Sequence, residues 1–475
     1  MNLLKHYYSA KFQIVLVGLV CFCCPGMFNA LSGIGGGGQI DHSIVDNANT
    51  ALYVTFIVFG LLGGGFVNLF GPRWTIFASG FTYALYSGSF IYYNHSSNGA
   101  FAITAGAILG IGAGILWAAQ GMIMISYPNE GEKGRFIGIF WVIFNLGGVI
   151  GGVISFAINF NSNASALGDT TYIVFLVLEC VGACLGLTLA PPNKVVRSNG
   201  EKVVLQKYTN VVTEFLEVLK LFTNKWMLLL FIPFFSSNFM YTYQFNKING
   251  ALFTIRTRSL NSTLYWVAQM IGSYAYGLVL DHKSWSRKRR AVIAFIIVGV
   301  IYNSGWVGST ILQNRYTTVN SGDPPAGLDF PGGLIDFTEH SRAAGPMILY
   351  FVFGICDAMW QTYCYWIMGC LTNDPQTSAR YAGFYKGIQS LGAAIAWQVD
   401  AKDKKLMDQV IINWVFVVAS LILFVPVIMR IKPTLENDVS DVKAIPEYED
   451  DQGTHEFPTA DYEQNNTQDN AVKNV

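Results

Sequence analysis

Charged residues are scarce in this chain of 475 residues: Lys, Arg, Asp and Glu make up 13% of it, whereas apolar residues make up 52%. A soluble fold of this composition would leave too much apolar surface in water. The 30 basic and 30 acidic side chains cancel, so the chain also lacks the basic excess of nucleic-acid-binding proteins. The composition therefore indicates a membrane protein with no nucleic-acid partner.

Motifs of catalysis and cofactor binding are also missing. No Ser-His-Asp, Walker or paired-carboxylate hydrolase pattern is present, so we predict neither enzyme activity nor a cofactor. All eight cysteines fall in predicted spans, and no His or carboxylate shares a helix with Cys21, Cys23 and Cys24, which argues against disulfides and a metal site. The run Gly33–Gly38 satisfies G-x-G-x-x-G but follows an apolar helix rather than a strand, which favours close packing over nucleotide binding.

What the chain does contain is about twelve apolar stretches of roughly 20 residues, each long enough to cross a bilayer core as a helix. The sequence predicts an all-α membrane protein with twelve transmembrane helices in two six-helix bundles. The predicted spans cover residues 12–32, 50–70, 73–93, 101–127, 136–159, 170–190, 226–246, 260–280, 291–312, 346–371, 378–398 and 409–430.

These spans divide the chain into four predicted segments. An N-terminal bundle covers residues 1–190, and a C-terminal bundle covers 226–432. Between them, residues 191–225 begin with Pro191-Pro192 and contain an amphipathic stretch, which predicts a cytosolic linker with a surface helix. Residues 433–475 are acidic and poor in large apolar side chains, which predicts a disordered tail.

Charge distribution predicts that both chain ends face the cytosol. This orientation places most Lys and Arg on the cytosolic side, including the cluster Arg287–Arg290. The glycosylation sequons at Asn94, Asn163 and Asn261 then fall in exoplasmic loops. The sequence does not distinguish the plasma membrane from an endomembrane such as the endoplasmic reticulum or the vacuole.

The chain also repeats itself at an offset of roughly 245 residues, as a parallel duplication of six helices would produce. The pattern that begins with Arg135 and contains Gly138 and Gly147 matches the one that begins with Arg380 and contains Gly383 and Gly392.

Three ionisable residues fall inside predicted spans: Glu179, Asp357 and Lys386. An unpaired charge at membrane depth costs at least about 2.5 to 3.5 kcal/mol, so such residues need partners. Asp357 and Lys386 are expected at similar depth in neighbouring helices, where an ion pair is feasible. A proton or a substrate could break and remake that pair, or the pair could be purely structural, and the sequence leaves both readings open. Glu179 lies in a helix predicted to be peripheral, which favours a structural role.

Polar and aromatic side chains gather where a central cavity would be lined, as a site for a neutral or aromatic solute requires. Together with the charged pair, the candidates for the substrate pathway are Asn29, Trp117, Gln120, Tyr243, Gln244, Asp357, Gln361 and Lys386.

Several motifs of the N-terminal half resemble one known family. They are Asn29-Ala-Leu-Ser-Gly33-Ile-Gly35, Tyr127-Pro128 with Glu130, Lys133 and Gly134, and Phe140-Trp141 through Asn145-Leu-Gly-Gly148. These motifs resemble the Unc-ninety-three-like (uncoordinated-type) family of the major facilitator superfamily, and the chain is most similar to its fungal members.

The resemblance implies two bundles with alternating access, and it places conformational gating candidates at Arg73, Arg135, Asp281 and Arg380. The loop Gly71-Pro72-Arg73 looks like a shortened superfamily motif without its acidic residue. Animal relatives include an ion-channel regulator and a trafficking escort.

Two functional hypotheses follow. The first is a secondary transporter that moves a small organic solute by alternating access. The second is a non-transporting regulator or escort of another membrane protein. The expected partners are membrane lipid and either a small-molecule solute or a partner membrane protein.

Overall fold

The computed structural model describes residues 3–39, 41–129, 132–162, 164, 166–203, 211–282, 284–315, 333–372, 375–402 and 405–431. These residues are predominantly helical. Eight of their helices are long and apolar enough to cross a membrane, and a ninth span results if the bent pair Phe215–Thr223 and Lys225–Gly250 is counted as one. The predicted acidic tail and the sequon at Asn163 lie outside the described residues.

Twelve membrane helices emerge once the longest helix is divided. Ser43–Ser96 contains a break at Gly71, and we name its arms α2 (43–70) and α3 (72–96). The remaining membrane helices are α1 (Ala10–Gly33), α4 (Ala100–Ser126), α5 (Lys133–Asn159), α6 (Asp169–Gly186), α7 (Lys225–Gly250), α8 (Ile255–Leu280), α9 (Arg287–Arg315), α10 (His340–Leu371), α11 (Pro375–Ala401) and α12 (Leu406–Arg430). Shorter helical elements are Leu3–Tyr7, Gly36–Gly38, Pro192–Lys194, the linker helix Val211–Lys220 and Leu221–Thr223.

Local chemistry explains the breaks in these helices. Gly71 has φ 76°, a left-handed conformation that glycine adopts without strain, and Pro72 then starts α3 where its missing N–H is not needed. Helix α1 is interrupted before Pro25, between Ala10–Cys23 and Pro25–Gly33. Helix α7 consists of Lys225–Leu229, Phe231–Phe239 and a π-helical segment, Thr242–Gly250.

Helices α8 and α11 are not among the eight long apolar helices because they carry polar side chains, not because they are short. Each is long enough to cross a bilayer. Polar helices of this kind are tolerated in a membrane when their polar face points into the protein. In α8, for example, Arg258 and Gln269 are buried.

The helices sort into two bundles, each with its own apolar core. One core consists of residues between Ala10 and Val203, joined by Ile255 at the boundary. The other consists of residues between Met227 and Ile431. The predicted all-α membrane fold of twelve helices in two six-helix bundles is confirmed. The exact segmentation at residues 190, 225 and 432 stays a prediction.

The two ends of the bundles differ in charge, and we name them accordingly. The basic face holds the residues before α1, the Gly71 turn, the segment after α6 and the cluster Arg287–Arg290. The distal face holds the α1–α2, α3–α4, α5–α6, α7–α8, α9–α10 and α11–α12 junctions.

Equivalent glycines of the predicted repeat make equivalent contacts. A Cβ on Gly147 of α5 would collide with the carbonyl oxygen of Phe22 in α1. A Cβ on Gly392 of α11 would collide with the carbonyl oxygen of Phe235 in α7. In both bundles the fifth helix therefore approaches the backbone of the first helix at the same repeat position, which supports a duplicated six-helix unit.

Candidate functional site

Asp357 lies near the middle of α10 with no solvent exposure, and four side chains donate hydrogen bonds to its carboxylate. Tyr241 Oη lies 2.9 Å and Tyr265 Oη 3.2 Å from Oδ2, and Gln361 Nε2 lies 2.7 Å from Oδ1. Gln269 Nε2 also donates to Oδ2. Neutral donors from α7, α8 and α10 thus replace the water that the carboxylate loses on burial.

The predicted pair of Asp357 and Lys386 is not a direct ion pair among the described residues. Lys386 Nζ donates to Gln389 Oε1 at 2.8 Å, Gln389 Nε2 lies 3.3 Å from Gln361 Oε1, and Gln361 donates to Asp357. The ammonium group also lies over the rings of Tyr365 and Tyr385. Two amides therefore connect the charges, and we call Asp357, Lys386 and the residues linking or contacting them, Tyr241, Tyr265, Gln269, Gln361 and Gln389, the central network.

The other candidates for the substrate pathway lie in different places. Gln244 Oε1 lies 2.9 Å from Tyr265 Oη, so it adjoins the central network. Tyr243 lies elsewhere, buried against Trp306 of α9. Trp117 packs against Trp141 and Phe144 within the N-terminal bundle. The remaining two, Gln120 and Asn29, are buried and half-buried in α4 and α1.

Glu179 is buried in α6, as its position in a predicted span implied. Its Oε2 atom has no hydrogen-bond partner among the described residues.

Sequence reasoning missed a second cluster of charges, at the distal face. His42 Nδ1 lies 2.8 Å from Asp46 Oδ2, and both residues belong to the N-terminal bundle. Lys247 Nζ, from the C-terminal bundle, lies 3.0 Å from His42 Nε2 and 3.1 Å from Asp400 Oδ1. Asn246 Nδ2 lies 2.9 Å from Asp46 Oδ1 and 2.7 Å from Asp400 Oδ2. These five residues, named the distal cluster, join α2 to α7 and α11.

Hydrogen-bond chemistry determines the roles in this cluster. An ammonium group has no acceptor, so Lys247 donates and His42 Nε2 accepts, which leaves the ring proton on Nδ1 for Asp46. Burial lowers the pKa of His42, but the hydrogen bond to Asp46 and the charges of Asp46 and Asp400 together outweigh that effect, and the resulting pKa lies above the ordinary value. His42, Asp46 and Asp400 carry the kinds of atom that could hold a metal ion, yet the ammonium group of Lys247 already contacts His42 and Asp400 and supplies the positive charge.

The glycine-rich run after α1 forms the second contact between the bundles. Arg258 donates to the carbonyl oxygens of Ile34 and Gly35, and the latter glycine has φ 86°. Asn249 and Tyr350 donate to the carbonyl oxygen of Gly33 at 2.8 and 2.7 Å. The expected packing role of these glycines therefore has a physical reason: their exposed carbonyls accept hydrogen bonds from the opposite bundle.

Helix α5 shows how contact between the bundles changes with depth. Toward the distal face, a Cβ on Gly148 would meet the ring of Trp266, and a Cβ on Gly152 would meet Thr263 N at 2.9 Å, both on α8. Toward the basic face, a Cβ on Gly138 has no atom within 4 Å. Gly138 and Gly152 are about four turns apart and share a side of the helix. The bundles thus touch at the distal end of α5, and open space lies beside its basic end.

The four gating candidates all lie toward the basic face. Arg380 Nη1 lies 3.6 Å from Glu217 of the linker helix. Arg73 lies over the ring of Trp74, and Arg135 is exposed. Asp281 is exposed in the turn after α8. The structure does not bring these four side chains together.

The sequon residues have unequal surroundings. Asn94 lies at the exposed end of α3, where its amide donates to Asp169 Oδ1 at 2.8 Å. Asn261 is fully buried inside α8, and its Nδ2 donates to Asn249 Oδ1 at 2.9 Å. Because α8 begins at Ile255 and not after the sequon, Asn261 lies inside a helix and not in the predicted loop, and its glycosylation stays a prediction.

An ion pair at the start of α8 ties this helix to the α9–α10 junction. Arg256 donates from Nε and Nη2 to the two oxygens of Asp336, at 2.7 and 2.9 Å. Burial alone would raise the pKa of Asp336, but the hydrogen bonds from Arg256, Thr254 and Thr338 hold it well below its usual range. Arg256 Nη1 also donates to the carbonyl oxygen of Phe160 at 3.1 Å, so this pair reaches the other bundle.

Two six-helix bundles with buried charges between their ends form a fold of the major facilitator type. The fold is similar to that of the xylose transporter XylE from E. coli in a partially occluded inward-open conformation, with a TM-score of 0.60 and 13% identity, covering 88% of this chain and 97% of that one. It is also similar to the nucleoside transporter NupG, with a TM-score of 0.57 and 12% identity, covering 89% and 100%.

A model of the family described as ion channel regulatory protein UNC-93 matches residues 38–302. UNC93-like protein 1 of Arabidopsis thaliana is 48% identical over 431 residues, which are 90% of this chain and 92% of that protein. A UNC93-like protein of Schizosaccharomyces pombe is 43% identical over 432 residues, covering 90% and 84%. The chain belongs to the UNC-93 family, as its sequence motifs predicted, and it is a multi-pass integral membrane protein.

Proposed function

We propose that the protein is a secondary transporter that moves a small organic solute by alternating access. The observation that carries this proposal is the central network, in which a fully buried carboxylate and an ammonium group are held apart by two amides. A purely structural ion pair would place the two charges in direct contact. Charges that are separated by exchangeable amide hydrogen bonds suit a site whose bonds rearrange when a solute or a proton binds.

The surroundings of this network fit a solute pathway between the bundles. Tyr241, Gln361 and Lys386 are half-buried, whereas Asp357 and Tyr265 are fully buried, so the network has one side open to a ligand. Phenol and amide groups beside a charged group bind the polar part of an organic solute, and the rings bind its apolar part. Of the candidates for the pathway, Asp357, Gln361 and Lys386 belong to this network, and Gln244 adjoins it.

We further propose that the basic face is cytosolic and that Arg73, Arg135, Asp281 and Arg380 act in closing that face. The excess of Lys and Arg at this face supports the orientation. Contact between Arg380 and Glu217 of the linker helix supports a gating role for the linker. In this orientation Asn94 is the glycosylation site among the described sequons.

The experiment that tests transport compares solute pools in cells expressing the wild type, Asp357→Asn or Asp408→Asn at equal membrane levels. Asp408 is an exposed carboxylate at the start of α12, so its substitution is a matched control. Untargeted metabolite analysis of cells and medium should show a solute difference that requires the wild type or Asp408→Asn. The difference should vanish in Asp357→Asn and when an ionophore collapses the proton gradient. Equal pools with the wild type and Asp357→Asn would contradict the proposal.

A regulator of another membrane protein is the second candidate because the matching family is described as ion channel regulatory protein. The same strains distinguish it from a transporter. Affinity purification from native membranes should then recover one partner at equal yield with the wild type and Asp357→Asn, without any solute difference between them.

A further inference from the structure

We propose that His42 is a proton-binding site that controls contact between the two bundles at the distal face: the unprotonated ring joins the bundles, and protonation releases them. This inference goes beyond transport, since it would apply equally to a regulator with two conformations.

The unprotonated ring of His42 bridges the two bundles. Nδ1–H donates to Asp46 in its own bundle, and Nε2 accepts from Lys247 in the other bundle. Lys247 is in turn paired with Asp400 at 3.1 Å. A continuous chain of hydrogen bonds and charges thus runs from α2 to α11, and the acceptor atom of His42 is its central link.

A proton on Nε2 removes that link. The protonated ring has two donors and no acceptor, so Lys247 loses its hydrogen bond and two cations face each other at about 3 Å. The charges then divide evenly: His42 neutralises Asp46 within the N-terminal bundle, and Lys247 neutralises Asp400 within the C-terminal bundle. Each bundle keeps one buried ion pair, and neither carries an unpaired charge when the two separate.

Among the described residues, the charged groups that face His42 are Asp46 on α2, Lys247 on α7 and Asp400 on α11, where the Asp400 oxygen lies 3.9 Å from Nδ1. Burial and Lys247 lower the pKa of His42, whereas Asp46 and Asp400 raise it, and the resulting pKa lies above the ordinary value. While the bundles touch, a proton on Nε2 brings the charged ring against Lys247, and separation of the bundles removes that repulsion while Asp46 stays beside Nδ1. Acidification therefore shifts the population toward the open conformation.

Other contacts between the bundles at the distal face include neutral hydrogen bonds, which lie next to the distal cluster. The π-helical segment of α7 carries Asn246 and Lys247 in the distal cluster and Asn249 in the contact with Gly33. Gln398 of α11 lies 3.1 Å from Asn47 Oδ1 and 3.0 Å from Thr50 Oγ1 on α2. These hydrogen bonds join neutral groups and each contributes little net free energy, so the buried charges decide whether the bundles stay in contact.

The test is hydrogen–deuterium exchange of the full-length protein in lipid nanodiscs between about pH 5 and pH 8, a range that includes the titration of a histidine whose pKa is shifted. Exchange rates are corrected for the intrinsic pH dependence of amide exchange. Amides of residues 36–50 and 242–250 should lose protection on acidification, by up to about tenfold per pH unit. His42→Gln should abolish this dependence. His95→Gln is the matched control, because His95 contacts Asp169 at 2.6 Å on the same face but within one bundle, and it should behave as the wild type.

Asp46→Asn supplies an independent check, because it removes the group that raises the affinity of His42 for a proton. The loss of exchange protection on acidification should persist in this variant but occur at lower pH. If His42→Gln does not yield folded protein by size exclusion, His42→Asn takes its place. The inference is overturned if the His42 variants keep the wild-type pH profile, or if Asp46→Asn leaves the transition where it was. Equal solute pools with the wild type and Asp357→Asn, together with an intact pH dependence of exchange, would contradict the proposed function and leave this inference standing.

Discussion

In the distal cluster, Lys247 touches both His42 and Asp400, and residues of both bundles take part. In the central network, Lys386 and Asp357 belong to the same bundle and are separated by Gln361 and Gln389. Direct contact between opposite charges stabilises one arrangement of the bundles, whereas indirect contact leaves each charge free to change partners. Both regions contain buried charge. What distinguishes the proposed gate from the proposed binding site is the position of the charges between the ends of the bundles and whether they touch directly.

The largest loss of stability should come from removing the cation of the distal cluster. Lys247→Met removes the ammonium group that pairs with Asp400 and donates to His42, and breaking a buried pair in this way costs about 3 to 5 kcal/mol. Thermal unfolding in detergent should show this loss. The double variant Lys247→Met with Asp400→Asn should recover most of it, and a single variant as stable as the wild type would remove the distinction between the two clusters.

A smaller effect should follow from a methyl group placed between the bundles. In Gly152→Ala the new Cβ meets the backbone of Thr263, so overpacking should destabilise the distal contact by about 1 to 3 kcal/mol. Gly138→Ala on the same helix is the control, because its Cβ meets no atom and alanine favours the helix. Exchange protection of residues 255–265 should fall in the first variant and not in the second. Equal protection in both would mean that the two ends of α5 are not packed differently.

The ion pair between Arg256 and Asp336 should contribute less to the free energy of unfolding. Asp336→Asn removes the negative charge and one of the two oxygens that accept hydrogen bonds from Arg256, and it should lower stability by about 1 to 2 kcal/mol at neutral pH. Because the folded-state pKa of Asp336 is depressed, this contribution is present above the unfolded value near 3.9 and is lost as pH falls below it. Unfolding midpoints of the wild type and variant should therefore converge on acidification. A constant difference down to strongly acidic pH would contradict the assignment.

The smallest change in stability should accompany the largest change in transport. Lys386→Gln removes an ammonium group that has no direct counterion, while Asp357 keeps its four donors, so stability should change by less than about 1 kcal/mol. Solute accumulation should nevertheless be lost. Lys386→Arg, which keeps the charge, should retain part of it. A strongly destabilised Lys386→Gln would show that the central network is structural like the distal cluster.

Part of the site could be predicted from the sequence, because some of its residue types are unusual inside an apolar span and others are common there. Asp357, Gln361 and Lys386 stood out because charge and amide groups inside an apolar span are costly. Tyr265, Gln269 and Gln389 did not, because phenols and amides are common in helices. They gain a role only from their contacts, those of Tyr265 and Gln269 with Asp357 and that of Gln389 with Lys386.

The distal cluster was missed because of the predicted helix ends. Spans at 50–70, 226–246 and 378–398 placed Asp46, Lys247 and Asp400 in loops, where charge is ordinary, whereas α2, α7 and α11 extend over all three. The spacing of His42 and Asp46, one helical turn apart, was the available signal. The start of α8 differs from the prediction in the same way, so Asn261 lies inside the helix and not in the predicted loop.

The sequence by itself determined the number of membrane helices, their pairing into two related bundles and the family, because hydropathy and short motifs are local properties that survive without knowledge of contacts. Only the tertiary structure decided which charges meet. Asp46 and Asp400 are both bonded by the side chain of Asn246, and Lys386 is kept from Asp357 by two amides, although nothing in the spacing of these residues along the chain encodes either arrangement. Contacts between residues far apart in sequence depend on how helices pack, and that packing is a property of the whole fold.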